Sequence, residues 1–260
     1  MNFPDIDPVA LSLGPLVIRW YALAYLAGFI FGWRLCMRLV RDRITPPGPQ
    51  NYDDFLVWAV LGTILGGRLG YVLVYNLPHY LAEPLDALKV WHGGMAFHGG
   101  MLGVILAALF YTRKHKIAFW RFTDPLAVVT PIGLFFGRLA NFVNGELYGR
   151  ATDMPWGIIF PNGGPEPRHP SQLYQAGMEG LILFAVMLLL IKKTDWQNRP
   201  GLASGVFLAG YGVARVIGEL FRQPDAQLGF LFAGATMGQI LSLPMIAFGA
   251  WLIRRAKKPQ

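Results

Sequence analysis

Three arginines, Arg68, Arg138 and Arg215, stand inside long apolar runs. An ionisable side chain in hydrocarbon is costly enough that each needs a partner, a cavity or a function. Converging guanidinium forks suit an anion such as a lipid phosphate, because they offer paired N–H donors in one plane. The plainer alternative is three local ion pairs or snorkelling side chains, with Arg215 bonded to Glu219 one turn on. Tyr211, Arg215 and Glu219 recur every four residues and so share a helix face, as do Arg138 and Asn141. Asn144, Glu146 and Gly149 follow closely. His98 stands between the glycine pairs Gly93-Gly94 and Gly99-Gly100, which permit backbone to lie next to a ligand. A histidine at a helix end also serves as a cap, and Tyr21 beside Trp20 reads first as an interfacial belt residue.

Other chemistries find less support. His92, His98 and His169 lack the HExxH or close carboxylate spacing of a metal site, so no metal is expected. There is no GxSxG elbow, and Ser171 near His169 has no triad context. A GxxxxGK[ST] phosphate loop is absent. The single cysteine, Cys36, excludes an internal disulfide and a CxxC centre and reads as packing.

These side chains belong to a chain of 260 residues that is 54% hydrophobic and only 15% charged. Soluble domains carry about 25% charged residues, so the pattern is that of a membrane protein. Seven apolar stretches are long enough to span, at 16–39, 55–75, 95–111, 126–143, 173–191, 202–221 and 232–253. His98 and Pro131 interrupt the third and fourth. The N-terminus has Asp5 and Asp7 in place of a cationic region, so a retained first span is expected rather than a signal peptide.

The net charge of +8 would raise the question of nucleic acid in a soluble protein, but its placement points to lipid. Arg41 and Arg43, then Arg113, Lys114, Lys116 and Arg121, then Lys192, Lys193 and Arg199, then Arg254, Arg255, Lys257 and Lys258 follow spans one, three, five and seven. The other loops hold only Lys89, Arg150, Arg168 and Arg222. The positive-inside bias then places the N-terminus outside and the C-terminus in the cytoplasm. In that topology the three arginines all lie roughly 9 to 12 Å below the outer surface. The expected architecture is all-α: one transmembrane domain over 1–260, seven helices, and a small external cap from loops 76–94 and 144–172. Gly62, Gly66 and Gly70, Gly99 with Gly103, and Gly133 with Gly137 carry the GxxxG spacing of close helix crossings.

The run from Gly137 to Gly149, GRLANFVNGELYG, closely resembles the signature of bacterial phosphatidylglycerol:prolipoprotein diacylglyceryl transferases. Arg19-Trp20-Tyr21, Gly94 through Gly100, Arg168 through Tyr174, and Tyr211 through Glu219 followed by Phe221 to Asp225 are similar to the same family in the same order. The resemblance covers essentially the whole chain. It implies a seven-span enzyme of the bacterial cytoplasmic membrane that moves the diacylglyceryl group of phosphatidylglycerol to a prolipoprotein's lipobox cysteine, releasing glycerol 1-phosphate. By the same resemblance Arg138, Asn141, Glu146 and Gly149 belong to the signature, and Tyr21, His98, Tyr211, Arg215 and Glu219 fall at or near the site.

In such a displacement, negative charge grows on a phosphate leaving group, so Arg138 and Arg215 are the expected catalytic cations. Glu219 or Glu146 would hold an arginine, and Asn141 would bond a headgroup oxygen. Tyr211 and Arg68 are further candidates for the substrate side. His98 is the natural base for the incoming thiol; Tyr21 is a weaker one, and an arginine field that lowers the thiol pKa would need no base. No cofactor is required. The competing class is a transporter or flippase for an anionic solute or lipid; a scaffold would leave the buried arginines without purpose.

Overall fold

The computed structural model describes residues 1–4, 6–14, 16–42, 47–90, 93–224, 229–231 and 234–256. Asp5, Arg43, His92, Asp225, Lys257 and Lys258, named above, lie outside the described residues. The chain is mostly helical. Among the described residues, nine α-helical segments run in order as α1 Trp20–Val40, α2 Pro49–Val74, α3 Leu77–Ala82, α4 Phe97–Lys114, α5 Phe119–Val143, α6 Ser171–Gln175, α7 Leu183–Lys193, α8 Leu202–Glu219 and α9 Met237–Arg255. A π-helical stretch, Ala176–Ile182, joins α6 to α7, so Ser171–Lys193 is one continuous rod. Among the described residues, five helices are long and apolar enough to cross a membrane: α1, α2, α5, this rod and α9. The protein is a polytopic membrane protein. The third and sixth expected spans are the helices α4 and α8, each of 18 residues.

The all-α expectation needs one correction. Val9–Leu13 (β1) and Leu16–Arg19 (β2) pair antiparallel, with Leu11 opposite Ile18 and Ser12 opposite Val17. β-Branched Val17 and Ile18 favour this extended pairing, so the first helix starts at Trp20, later than the apolar pattern suggests. By contrast α5 runs straight through Pro131.

The chain forms two compact units, Met1–Arg38 with Asp124–Gln260, and Leu39–Thr123. In the second, α2 and α4 meet through their glycines. A Cβ on Gly62 would lie 2.7 Å from the Gly103 carbonyl oxygen, one on Gly70 2.8 Å from the Gly99 Cα, and one on Gly66 would strike the Gly99 oxygen. On the other side of α2, Leu61, Leu65, Leu69 and Leu73 are all more than half exposed, as a face turned to lipid should be. The pair Gly133 and Gly137 behaves differently. A Cβ on either would meet nothing within 4 Å, although Gly28 of α1 approaches the Gly133 backbone. The spacing there does not mark a two-point crossing.

In the first unit, Asp124 fixes the start of α8. Its carboxylate accepts from the Gly201 and Ser204 amides and from Ser204 Oγ, each at 2.8 Å, in a buried setting. An anion at a helix N-terminus satisfies open N–H groups and complements the dipole. At the far end of α8, Arg150 donates to the carbonyls of Glu219 and Arg222, both at 3.0 Å. α8 is thereby held at both ends, which sets the level of Arg215.

Candidate active site

The site lies in the first unit, where Arg138 of α5, Glu179 of the π-helical stretch, Arg215 and Glu219 of α8, Arg222 just beyond it and Thr236 at the N-cap of α9 come together. Arg138 of α5 donates through both Nε and Nη2 to Glu179 Oε2, at 3.0 and 2.9 Å. Glu179 is wholly buried, and its Oε1 lies 3.7 Å from Arg215 Nη1. Arg215 in turn pairs with Glu219 at 2.7 Å, one turn on along α8, as the four-residue spacing suggests. Glu219 also takes Arg222 Nη1 at 3.1 Å and the hydroxyl of Thr236, the N-cap of α9, at 2.7 Å. Charges thus alternate from Arg138 to Arg222, three cations against two carboxylates.

Such a cluster is a poor way to stabilise a bundle, since desolvating ions offsets most of their attraction. Its use is electrostatic. One positive charge is left over in a low-dielectric setting, where an anion would be held strongly. Arg138 and Arg215 keep about 15% and 14% of their side-chain surface exposed, whereas Glu179 and Glu219 are sealed behind them. The cations face outward from the cluster and the carboxylates back them.

The rest of the signature folds beside this cluster. Gly145 and Leu147 both adopt left-handed backbone, at φ 64° and 56°, and turn the chain back on α5. Leucine rarely accepts this region, so the turn is strained and must be held by its surroundings. Ser171 Oγ bonds the Leu147 carbonyl and Gln172 Nε2 the Glu146 carbonyl, so the first turn of α6 grips it. The turn places Glu146 to accept from Asn141 Nδ2 at 2.8 Å. Glu146 therefore orients an amide, and the arginine partner is Glu219. Gly149 is packed too tightly for any side chain: a Cβ would lie 2.5 Å from the His169 oxygen and 2.6 Å from the Phe221 oxygen. Tyr211 lies half-buried one turn before Arg215, stacked on Phe207. Tyr21 shares a hydrogen bond with Tyr25 at 3.0 Å.

His169 has a neighbourly role. Trp156 Nε1 donates to the Tyr174 hydroxyl at 2.6 Å, which frees that hydroxyl's proton for His169 Nδ1 at 3.2 Å. Burial lowers the His169 pKa below its usual 6.5, in keeping with a neutral, accepting ring.

Arg68 and His98 belong to the other unit. Arg68 is buried, and its guanidinium donates to the carbonyls of Asp86, Ala87, Lys89, Gly93 and Gly94. It fastens residues 86–89 and the Gly93-Gly94 pair, leaving little of its fork for an anion. His98 is the second residue of α4 and is exposed. Among the described residues no group of three or more His, Cys, Asp or Glu side chains is placed to hold a metal.

A family model described as prolipoprotein diacylglyceryl transferase matches residues 8–255. The chain belongs to the prolipoprotein diacylglyceryl transferase family. Proteins named phosphatidylglycerol-prolipoprotein diacylglyceryl transferase are similar along their full length: that of Azospirillum brasilense is 58% identical, covering 98% of this chain and 96% of its own. Those of Rhodospirillum centenum and Rhizobium leguminosarum are 56% and 50% identical, covering 98% and 99% of this chain and 93% and 94% of theirs. As a member of that family the chain is an enzyme. Around this candidate site, sequence reasoning missed Glu179 and Thr236, took Arg150 only as a loop cation, and met Arg222 only as a loop cation and part of a motif. Glu179 had a signal available, being an acid within the apolar run 173–191.

Proposed function

We propose that this protein transfers the diacylglyceryl group of phosphatidylglycerol to the lipobox cysteine of prolipoproteins, the first step of bacterial lipoprotein maturation. The observation that carries this reading is the buried, net-positive chain from Arg138 to Arg222, in a chain that matches the family over residues 8–255. The thiol sulfur attacks the glycerol carbon bearing the phosphodiester. A C–S bond forms, the C–O bond breaks, and the electron pair leaves with glycerol 1-phosphate. Arg138 and Arg215 hold the phosphate and stabilise the charge that grows on it in a site of low dielectric. Glu219 fixes Arg215, Asn141 and Glu146 bind headgroup oxygens and hydroxyls, and the packed Gly149 keeps the loop close. His98 takes the thiol proton; Tyr21 and Tyr211 position the lipid.

Arg68 serves the same end indirectly, through the 84–94 segment that leads to His98. Both units act as one transferase domain in the bacterial inner membrane, with seven spans, the N-terminus and the site on the periplasmic side and the C-terminus in the cytoplasm. Loops 76–94 and 144–172 cap the site. The thiol arrives on the substrate, and the reading needs neither a metal nor an organic cofactor, nor any nucleic acid.

The test is whether purified protein releases glycerol phosphate from phosphatidylglycerol only when a lipobox peptide is present. Peptide-dependent release is the expected result. Lipid or solute flux across vesicles without product would replace the reading with transport.

A further inference from the structure

The geometry points to Glu179 as the positioning residue of the site, a carboxylate that locks Arg138 and Arg215 into one phosphate-holding unit. This rests on the reading of the site given above. A single oxygen, Oε2, accepts from two nitrogens on one edge of the Arg138 guanidinium, which fixes both its plane and the edge left for a ligand. The other oxygen faces Arg215 at 3.7 Å. Two cations on different helices are thus referred to one wholly buried group.

The backbone is shaped around this residue. Buried positions in the rod recur every four residues, at Ser171, Gln175, Glu179, Leu183 and Met187. In a regular α-helix a four-residue step drifts by roughly 40° per turn, and this stripe would spiral away from its neighbours. The wider π turn at Ala176–Ile182 offsets that drift and keeps Glu179 in line. Glycines then press the stretch onto both arginine helices. A Cβ on Gly180 would lie 2.7 Å from Phe135 Cβ, one turn before Arg138, and one on Gly218 of α8 would lie 3.2 Å from Gln175 Cγ. Gly218 lies three residues after Arg215, on a neighbouring part of the same helix surface.

The experiment compares E179Q and E179D with the wild type in lipid–detergent micelles, using phosphatidylglycerol and a lipobox peptide. It reads kcat, both KM values and thermal unfolding. E179Q keeps the shape and removes the charge; its kcat per folded molecule should fall by at least about tenfold with the peptide KM unchanged, as expected when reacting groups are misplaced by a fraction of an ångström to an ångström. E179D keeps the charge and should recover part of that loss. Should E179Q fail to fold, E179D decides, because shortening the acid should lower kcat without changing the peptide KM. Wild-type kcat per folded molecule in the folded variants, whatever their melting temperature, overturns the inference, and so does loss of the fold in both. A wild-type protein that makes no glycerol phosphate would instead overturn the transferase reading, before any variant is compared.

Discussion

Arg138 gives Nε and Nη2 to Glu179 and keeps its Nη1 end clear of protein acceptors among the described residues. Arg215 is backed by Glu219, whose Oε1 lies 2.7 Å from Nη2. A lysine could supply charge at either position but not two donors in a fixed plane, so the chemistry of the pair depends on the guanidinium. Replacing either arginine by alanine should lower peptide-dependent glycerol phosphate release by at least about a hundredfold, the scale seen for loss of a donor to a growing anion. Protein that still elutes as a folded species from detergent yet turns over at the wild-type rate would sink the electrostatic argument. His98 is exposed at the start of α4. If it is the base, His98→Asn should depress the rate strongly near neutral pH and much less at high pH, where more of the thiol is already ionised. A small effect that does not vary with pH would leave His98 a positioning residue.

Helices place these groups through two devices, glycine contacts and buried caps. The same GxxxG spacing has different consequences at different places, because only some of these glycines face another backbone. Gly66→Ala drives a methyl into the Gly99 carbonyl and should destabilise the α2–α4 pair by about 1–3 kcal/mol, whereas Gly137→Ala enters open space and should leave the melting temperature unchanged. Equal melting curves for the two variants would show that the α2–α4 crossing is not the tight contact described. Asp124 is the cap that matters for the site, since three donors at the start of α8 converge on it. Asp124→Ala strands them and should cost about 2–4 kcal/mol, read as earlier unfolding in detergent. Unfolding at the wild-type temperature would mean that other contacts hold α8 in place.

Across the bilayer, the expected topology assigns most of the cations to orientation and few to chemistry. The expectation of an external site can be checked with the one native cysteine removed. In a Cys36→Ser background, a cysteine introduced in the 144–172 loop should react with a membrane-impermeant maleimide in intact spheroplasts, and one at Arg254 should react only after lysis. Labelling of the Arg254 position in intact spheroplasts would reverse the topology and separate the site from substrates that emerge on the outer side. The stripe of exposed leucines on α2 in the second unit suits contact with lipid, and the first unit seals its acids in a polar cluster.

Much of this was legible in the residues, for identifiable reasons. Apolar runs the length of a bilayer have few alternatives to helices, so the polytopic, mostly helical character, the arginines within apolar helices and the i,i+4 pairing of Arg215 with Glu219 followed from composition and period. The family followed from one dense motif. What the linear order could not carry was partnership between distant segments. Arg138 meets Glu179 across 41 residues, Glu219 meets Thr236 at the cap of another helix, and Glu146 turns to Asn141 through a strained left-handed turn. Nor could spacing distinguish the glycines of α2 from Gly133 and Gly137, or foresee that Arg68 would be taken up by five carbonyls. Local period fixes which face a side chain occupies; only the packing of helices against one another decides what that face meets.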